Sequence, residues 1–278
     1  MIHDFYIILS MLKINKQYSL RLLKLVNTLV DFSSIEAERI QAVYEPTDLA
    51  TLTIELASMF RSSIERAGIQ LIIDCPPLPE PIYIDREVWE KIVMNLFSNA
   101  LKFTFKGEII LSLRWVTNGI ELEVQDTGIG IRAKEIPRLF ERFYRVPVEP
   151  CHGTSLPERN YQGSGMGLFL VKELIQLQGG TINVTSIPGQ GSCFKVSIPS
   201  GYSHLPAEQV NLHPHNFPSV THLTPSNTTA TYLDEVKSWS AETNVVVEVQ
   251  QMPPPNYPFP KSYWWMITQI CAIIFSVY

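Results

Sequence analysis

The stretch Asn95-Leu-Phe-Ser-Asn99-Ala-Leu-Lys102-Phe103 carries two carboxamides and an ammonium at helical spacing. Asn95 and Asn99 are four residues apart and Lys102 is three further on, so the three side chains share one face of a helix. A carboxamide oxygen is a hard ligand that suits Mg²⁺, and a lysine can neutralise phosphate charge. An isolated asparagine pair is more commonly a solvated feature of a helix. The metal and phosphate interpretation therefore depends on the sequence around this asparagine block.

Three further blocks follow the asparagine block along the chain. In order, they are an aspartate block, a phenylalanine block and a glycine block: Asp126-Thr-Gly128-Ile-Gly130, Phe140-Glu-Arg142-Phe143 and Gly163-Ser-Gly165-Met-Gly167-Leu168. A carboxylate accepts hydrogen bonds without donating any, which suits the amino group of adenine, and glycines let the backbone approach a base. Glycines before a helix present N–H groups and the positive end of the helix dipole to phosphate. Each block alone also fits an ordinary turn or helix cap, but the four together predict a nucleotide site.

The hydrophobic pattern from residue 46 to residue 200 predicts one domain of helices and strands. Thr47 or Asp48 can cap its first helix, Gly68 can end that helix, and Asp85 can cap the helix that holds the asparagine block. The G-x-G-x-G spacing of the glycine block departs from the dinucleotide fingerprint, which disfavours a Rossmann domain. The predicted fold class is α+β, a two-layer sandwich of helices on a mixed β-sheet. Its elements are helices over residues 49–67, 86–103 and 165–178 and strands over residues 70–74, 108–115, 120–125, 181–186 and 192–198.

The flanking segments have different patterns. Residues 1–45 contain an apolar stripe that predicts an amphipathic helix in need of a partner: Leu22, Leu25, Val26, Leu29, Phe32 and Ile35. Residues 201–262 are rich in Pro, Thr, Ser, Asn and His, which predicts a disordered linker. Residues 263–278 form an apolar tail that as a helix would reach roughly 24 Å, short of the roughly 30 Å hydrocarbon layer of a membrane. A membrane-surface contact and an accidental tail both fit this last stretch.

Charge and cysteine content exclude several classes of protein. The formal net charge is −5 and no run of basic residues occurs, so a nucleic-acid partner is not expected. The four cysteines are scattered and never form a C-x-x-C pair, which predicts neither a zinc site nor a disulfide framework. With 278 residues, 45% of them hydrophobic, the chain can bury one full core and keep flanking pieces. A reducing, cytoplasmic setting is the expectation.

In their order, the four blocks resemble the N, G1, F and G2 boxes of the ATP-binding domain of two-component sensor histidine kinases. This family is a branch of the gyrase, Hsp90, histidine kinase and MutL ATPase fold. The resemblance runs from about residue 19 to residue 199, and the pattern from Gly179-Gly180 to Phe194 also resembles the closing hairpin of the family. It implies a Bergerat-type ATP-binding fold, preceded by part of a helical dimerisation hairpin, with ATP and Mg²⁺ as cofactors.

The resemblance also assigns roles to residues of the asparagine and aspartate blocks. Asn99 would be the principal Mg²⁺ ligand, with Asn95 beside it, and Lys102 would contact phosphate. The remaining positions would form the adenine end of the pocket: Phe103, which would face the base, Asp126, which would accept from its amino group, and Gly128 and Gly130, which would shape the backbone.

The phenylalanine and glycine blocks would form a lid over the phosphates. Phe140 and Phe143 would anchor this lid, and Arg142 or Arg145 would reach the phosphates. The residues that would close the lid are Gly163, Gly165, Gly167 and Leu168. The four blocks would therefore surround one nucleotide.

Asn95 separates branches of this fold. Gyrase-like and MutL-like ATPases resemble one another in carrying a glutamate, the general base for water, one helical turn before the metal-binding asparagine. An amide cannot take a proton from water at neutral pH, so hydrolysis is expected to be slow and the γ-phosphoryl group to be kept for another acceptor. The residue therefore favours a kinase over an ATPase motor.

The phospho-accepting histidine is where this sequence departs from the family. That histidine lies in an H-E/D-x-x-T/N-P motif on the first helix of the dimerisation hairpin, and none of the six histidines here has the motif. Residues 21–29 resemble the second helix. The resemblance implies a homodimer and, as partners, a histidine-bearing dimerisation domain or a response regulator. Two alternatives stay open: a nucleotide-binding fragment without transferase activity, and a serine kinase or ATPase of the same fold.

Overall fold

The computed structural model describes residues 42–147 and 165–211, together with scattered positions of an N-terminal helix. Those positions are all helical: Ser19, Leu22, Leu23, Val26, Asn27, Thr28, Val30 and Ser33. Leu22 and Val26 of the predicted apolar stripe are 63% and 46% exposed, and the other stripe residues lie outside the described residues. The apolar tail and most of the predicted linker, residues 212–278, lie outside them as well.

Seven strands and four α-helices are described between residues 45 and 199. The helices are α1 (Leu49–Ser58), α2 (Arg61–Arg66), α3 (Arg86–Phe103) and α4 (Gly167–Leu177). The strands are β1 (Glu45–Thr47), β2 (Ile69–Asp74), β3 (Ile82–Ile84), β4 (Gly107–Val116), β5 (Gly119–Asp126), β6 (Thr181–Ile187) and β7 (Gly191–Pro199). Single turns of 3-10 helix cover Ile136–Arg138 and Ala207–Gln209.

Five of the strands form one mixed sheet in the order β2-β4-β5-β7-β6. β2 runs parallel to β4, and the other neighbours are antiparallel. The register sets Asp126 at the end of β5 opposite Ser192 at the start of β7. β1 and β3 pair separately as a two-stranded antiparallel sheet.

The two faces of the five-stranded sheet differ, as expected from the period of two in a strand. On β4 and β5 the residues that face the helices are buried: Ile109, Leu111, Leu113, Ile120, Leu122 and Val124. They join one core with residues of α3 and α4 such as Trp89 and Leu174. On the other face, Lys195 Nζ lies 2.8 Å from a carboxylate oxygen of Glu123. The helices therefore cover one face of a mixed sheet, and the predicted α+β sandwich is confirmed.

The single helix predicted over residues 49–67 is wrong, because the chain forms two helices there. α1 ends at Ser58 and α2 begins at Arg61. Between them, Phe60 turns into the core, where it is fully buried and stacks on Phe97 with ring centroids 5.3 Å apart. The N–H of Phe60 donates three residues back, to the carbonyl of Ala57 at 3.1 Å, which interrupts the α-helical ladder. Burial of a side chain of this size stabilises the fold by roughly 1.5–3 kcal/mol.

Residues 201–211 pack onto the domain, so the prediction of a disordered linker is wrong for this part of the range 201–262. Leu205 is 8% exposed, and the carbonyl of Gln209 accepts from the N–H of Tyr44 at 2.9 Å. Tyr44 is itself fully buried, and its hydroxyl donates to the carbonyl of Leu177 at 2.7 Å. The predicted domain boundary between residues 45 and 46 falls inside β1.

Candidate nucleotide-binding site

Asn95 and Asn99 lie one turn apart on α3, but their surroundings differ. Asn95 is 4% exposed, and its Nδ2 donates to the carbonyl oxygen of Lys91 at 2.9 Å. Its Oδ1 faces the start of α4, since a Cβ on Gly167 would lie 3.0 Å from that oxygen. Asn99 is half-buried. The asparagine block and the glycine block therefore meet at Asn95 and Gly167, as the nucleotide-site prediction requires.

The first turn of α4 begins beside the amide of Asn95. α4 begins at Gly167, and no side chain caps it at Met166. The first N–H groups of a helix have no partner within the helix and attract anions. Leu168 is half-buried in the same turn. The start of α4 can therefore bind phosphate beside the amide oxygen of Asn95.

Asp126 is the buried carboxylate of the site, with an exposed fraction of 5%. Its carboxylate accepts from the N–H of Gly128 at 2.8 Å and from the backbone N–H of Ser192. Burial raises the pKa of this carboxyl to about 6, and the two N–H groups oppose the shift. At neutral pH the group is ionised and has about four acceptor positions, of which two are used. It can therefore accept a further hydrogen bond from an amino group such as that of adenine.

The aspartate block is joined directly to the end of α3. The N–H of Ile129 donates to the carbonyl of Phe103 at 3.1 Å. A Cβ on Gly128 would overlap the same carbonyl oxygen, so a side chain there would push the two segments apart. Lys102 Nζ lies 5.2 Å from the centre of the half-buried Phe103 ring. The phosphate-binding lysine and the base-facing phenylalanine of the prediction are thus adjacent to the aspartate block.

The β6–β7 hairpin packs against the same block from the other side. The carbonyl of Ile129 accepts from the N–H of Gly189 at 2.8 Å. Gly130 lies against the carbonyl of Ile187, and a Cβ there would overlap it. The loop that follows Asp126 is therefore held between α3 and the hairpin.

The phenylalanine and glycine blocks meet at the base of the predicted lid. Phe143 has φ 60, the one positive φ of a non-glycine residue in the described part of the chain, and is 64% exposed. Gly165 packs on it with φ +71, and a Cβ there would lie 2.6 Å from the Phe143 carbonyl carbon and 2.8 Å from the carbonyl oxygen of Tyr144. A positive φ costs a non-glycine residue roughly 1–3 kcal/mol, so the surroundings of Phe143 must hold its backbone in this conformation. Gly163 lies outside the described residues.

The other predicted lid residues are described up to residue 147. Phe140 is half-buried and packs against the core. The guanidinium of Arg142 lies 4.9 Å from the centre of the Phe169 ring, in the first turn of α4. Arg145 is exposed. An arginine thus lies beside the helix start that can bind phosphate, and its contact with phosphate stays a prediction.

A polar network behind the phenylalanine block is not predicted from the sequence. The hydroxyl of Tyr144 donates to the carboxylate of Glu135, a residue 8% exposed, and this bond raises the pKa of the Tyr144 hydroxyl. Arg138 lies 4.2 Å from the centre of the Tyr144 ring and donates to Glu141 at 3.0 Å. The network fixes the residue that follows Phe143. Sequence patterns do not indicate it, because contacts within an irregular segment have no period.

The donor set fits a magnesium ion that is bound together with a triphosphate. Within residues 42–147 and 165–211, no cluster of three or more His, Cys, Asp or Glu side chains could hold a metal by itself. Mg²⁺ is commonly held by one or two protein oxygens, phosphates and waters. The carboxamide oxygens of Asn99 and Asn95, the latter beside the start of α4, match that requirement.

Comparison with known protein families identifies the domain. Residues 84–201 match the family described as histidine kinase-, DNA gyrase B-, and HSP90-like ATPase, and this segment runs from β3 through all four blocks to the end of β7. Over 182 residues the chain is 36% identical to the sensor histidine kinase RcsC of Escherichia coli (strain K12), covering 64% of this chain and 18% of RcsC. This region is an ATP-binding domain of the histidine-kinase type. The family predicted from the four blocks is confirmed.

The histidine-kinase-type domain also resembles solved structures. Full-length ShkA, determined in complex with AMPPNP, matches with a TM-score of 0.58 at 26% identity, over 70% of this chain and 40% of ShkA. The histidine kinase AdeS of Acinetobacter baumannii matches with a TM-score of 0.51 at 23% identity, over 63% of this chain and 77% of AdeS, which supports the fold alone. The chain spans 18% of the length of RcsC. No helix among the described residues is both long and apolar enough to cross a membrane.

Proposed function

We propose that the histidine-kinase-type domain binds Mg²⁺-ATP and transfers the γ-phosphoryl group to a histidine side chain in a phosphorelay. The proposal rests on the contacts that α3 makes with the glycine block and with the aspartate block. The amide oxygen of Asn95 faces Gly167, and Phe103 borders the block that holds the buried carboxylate of Asp126. Asn95 and Phe103 are eight residues apart, roughly 12 Å along the helix axis. In the proposal, that separation would set the phosphate end of the pocket apart from its base end.

At the phosphate end, Asn99 and Asn95 would hold Mg²⁺ through their carboxamide oxygens. The bound ion would neutralise phosphate charge and help to orient the γ-phosphoryl group. The N–H groups at the start of α4 and the ammonium of Lys102 would bind phosphate oxygens. Arg142, or Arg145, would add a further positive charge near the first turn of α4.

The chemistry of Asn95 favours transfer over hydrolysis. An amide cannot accept a proton from water at neutral pH, so the asparagine block would not activate water. In the transfer, an imidazole nitrogen of the acceptor histidine would form a bond to the γ-phosphorus while the bond to the bridging oxygen breaks, and ADP would leave with that oxygen. The acceptor would belong to a histidine-bearing dimerisation domain, in a cytoplasmic homodimer that passes the phosphoryl group to a response regulator.

Incubation with γ-labelled ATP tests the proposal. The chain is incubated alone and with a supplied dimerisation-helix hairpin that carries the acceptor motif. Acid-labile label on the hairpin is the expected result. Acid-stable phosphoserine would instead support a serine kinase, and binding without any transfer would support a nucleotide-binding module. Either of these results would contradict the histidine-kinase proposal.

Asn99→Ala tests the metal assignment within this proposal. Because the substitution removes the principal metal ligand, Mg²⁺-dependent ATP affinity should fall by about tenfold or more, the size of one lost charge-assisted contact. α3 should persist, since alanine is the best helix former. Titration calorimetry with and without Mg²⁺ measures the affinity, and circular dichroism measures the fold. Asn183→Ala, the same change at an exposed site of β6, is the control. An unchanged Mg²⁺-dependent affinity in Asn99→Ala would show that the site is misassigned.

A further inference from the structure

Ser186, near the end of β6, contacts two segments that surround the aspartate block. Its Oγ accepts from the N–H of Ile131 at 2.7 Å and donates to the carbonyl of Gly191 at 2.8 Å. The Oγ of Ser192 lies 3.0 Å away. A hydroxyl has one proton and two acceptor positions, so the proton given to Gly191 leaves Ser192 as the donor of the third bond. The hydroxyl of Ser186 therefore uses its whole hydrogen-bonding capacity in this one place.

Both donors to Ser186 belong to the surroundings of Asp126. Ile131 directly follows Gly130, the last residue of the aspartate block. Ser192 lies opposite Asp126 in the β5–β7 register, and its backbone N–H donates to the Asp126 carboxylate. One hydroxyl thus connects the backbone that leaves the aspartate block with the residue that supports its carboxylate.

We propose that Ser186 is a positioning residue for base selection, which keeps the Asp126 carboxylate directed at the amino group of adenine. This inference rests on the proposed function and names a further residue of the same site. Without the hydroxyl, the N–H of Ile131 and the hydroxyl of Ser192 lose their acceptor, and part-buried donors without acceptors are costly. The loop and the start of β7 would then shift to find new partners. Asp126 sits between these two segments, so its direction would become less defined.

An ordinary structural role for Ser186 is distinguishable from this one. A serine that only stabilises the hairpin would change the free energy of unfolding and would change the affinity for all nucleotides alike. A serine that positions Asp126 changes the preference between bases. Inosine triphosphate is the appropriate probe, because it carries a carbonyl oxygen where ATP carries the amino group that Asp126 would bind.

Ser186→Ala in the full chain is the test, with the affinities for ATP and inosine triphosphate measured by titration calorimetry. The wild type should prefer ATP, and the ratio of the two affinities should fall by about tenfold in Ser186→Ala, the size of one lost hydrogen bond in a binding site. Ser186→Thr keeps the hydroxyl and should restore the ratio. Thr185→Ala, at an exposed neighbouring position on the other face of β6, should leave it unchanged.

A second measurement tests, in the absence of nucleotide, whether Ser186 stabilises the loop that follows Asp126. In the free protein, hydrogen exchange at the Ile131 amide should be faster in Ser186→Ala than in the wild type or in Thr185→Ala. If Ser186→Ala does not fold, Ser186→Val is compared with Ser186→Thr, since valine has the shape of threonine without the hydroxyl. A preference for ATP that survives removal of the hydroxyl would overturn this inference alone. Failure of the wild type to bind ATP would overturn the proposed function and this inference together.

Discussion

Asp126 carries an electrostatic cost in the folded domain. Its carboxyl is buried and has a pKa of about 6, against an ordinary value of 3.8. An acid whose pKa is higher in the folded than in the unfolded chain binds more protons when folded, in the pH range between the two values. Below about pH 4 the protonated carboxyl does not destabilise the domain. As the pH rises through about 6, ionisation of the buried carboxyl lowers the free energy of unfolding by up to about 3 kcal/mol. Perturbed carboxyls of this kind cluster at functional sites.

Asp126→Asn should separate the effect of this carboxylate on stability from its effect on ATP binding. The variant has no charge at this position, so it should not share the loss of stability that the wild type undergoes between pH 4 and pH 7. The free energy of unfolding of the variant, relative to that of the wild type, should therefore rise by up to about 3 kcal/mol over this range. Its affinity for ATP should fall, since an amide can turn a donor toward the donor of adenine. Urea unfolding at pH 4, 5, 6 and 7 and titration calorimetry at pH 7.5 measure the two effects. A difference that does not vary with pH, or an unchanged affinity, would contradict the role given to this carboxylate.

At the scale of single elements, the bounds of α3 are predictable because the sequence marks them. Asp85 accepts from the N–H of Val88 at 3.1 Å and caps the helix at the predicted residue. The break between α1 and α2 is not predictable in this way, because no proline or glycine marks it and because Phe60 packs on Phe97, far away in the chain. β1 and β3 are three residues each, too short to display a period of two.

The contact between α3 and α4 suggests a substitution that should weaken ATP binding while leaving the stability of the domain nearly unchanged. Gly167→Ala replaces the first residue of α4 with a better helix former, a gain of at most roughly 0.5–1 kcal/mol, the value for a helix interior. The new Cβ would lie 3.0 Å from Oδ1 of Asn95, so the amide must shift by a few tenths of an ångström. The free energy of unfolding should therefore stay within about 1 kcal/mol of the wild type, while Mg²⁺-dependent ATP affinity falls several-fold.

The matched control for that substitution is Gln176→Ala, at an exposed position of the same helix. It changes helix propensity without approaching Asn95, so ATP affinity should match that of the wild type. Urea unfolding and titration calorimetry on both variants provide the comparison. Equal affinities for Gly167→Ala and Gln176→Ala would mean that the meeting of the asparagine and glycine blocks has no part in nucleotide binding.

For the whole molecule, the order of the four blocks predicts the site better than it predicts the contacts that hold the site together. Asn95 meets Gly167, and Phe103 meets the aspartate block, which agrees with a pocket at which these blocks converge. The bonds of Ser186 and Tyr44 have no counterpart in composition or periodicity. Each joins residues that are distant in the chain through one hydroxyl, and only the folded chain brings them together.

Tyr44 and its neighbour join the segment before β1 to both helices of the site. The N–H of Val43 donates to the carboxylate of Asp85, the N-cap of α3, at 3.0 Å. The hydroxyl of Tyr44 donates to the carbonyl of Leu177, the last residue of α4, at 2.7 Å. α3 carries the asparagine block and α4 begins with part of the glycine block. Each helix is thus held by this segment at the end away from the candidate nucleotide site.

Tyr44→Phe should therefore destabilise the whole domain in a way that depends on pH. At neutral pH the variant leaves the Leu177 carbonyl without its donor, and the free energy of unfolding should fall by about 1–3 kcal/mol. Burial, and secondarily Asp85, raises the pKa of Tyr44 to about 12, so the wild type should lose stability as the pH rises from about 10 toward 12. The variant has no hydroxyl to ionise, and its disadvantage should shrink over that range.

Urea unfolding at pH 7, 9 and 10.5 measures this, with Tyr202→Phe at an exposed site as the control. A disadvantage that stays constant with pH, or appears equally in Tyr202→Phe, would refute the role of this buried hydroxyl.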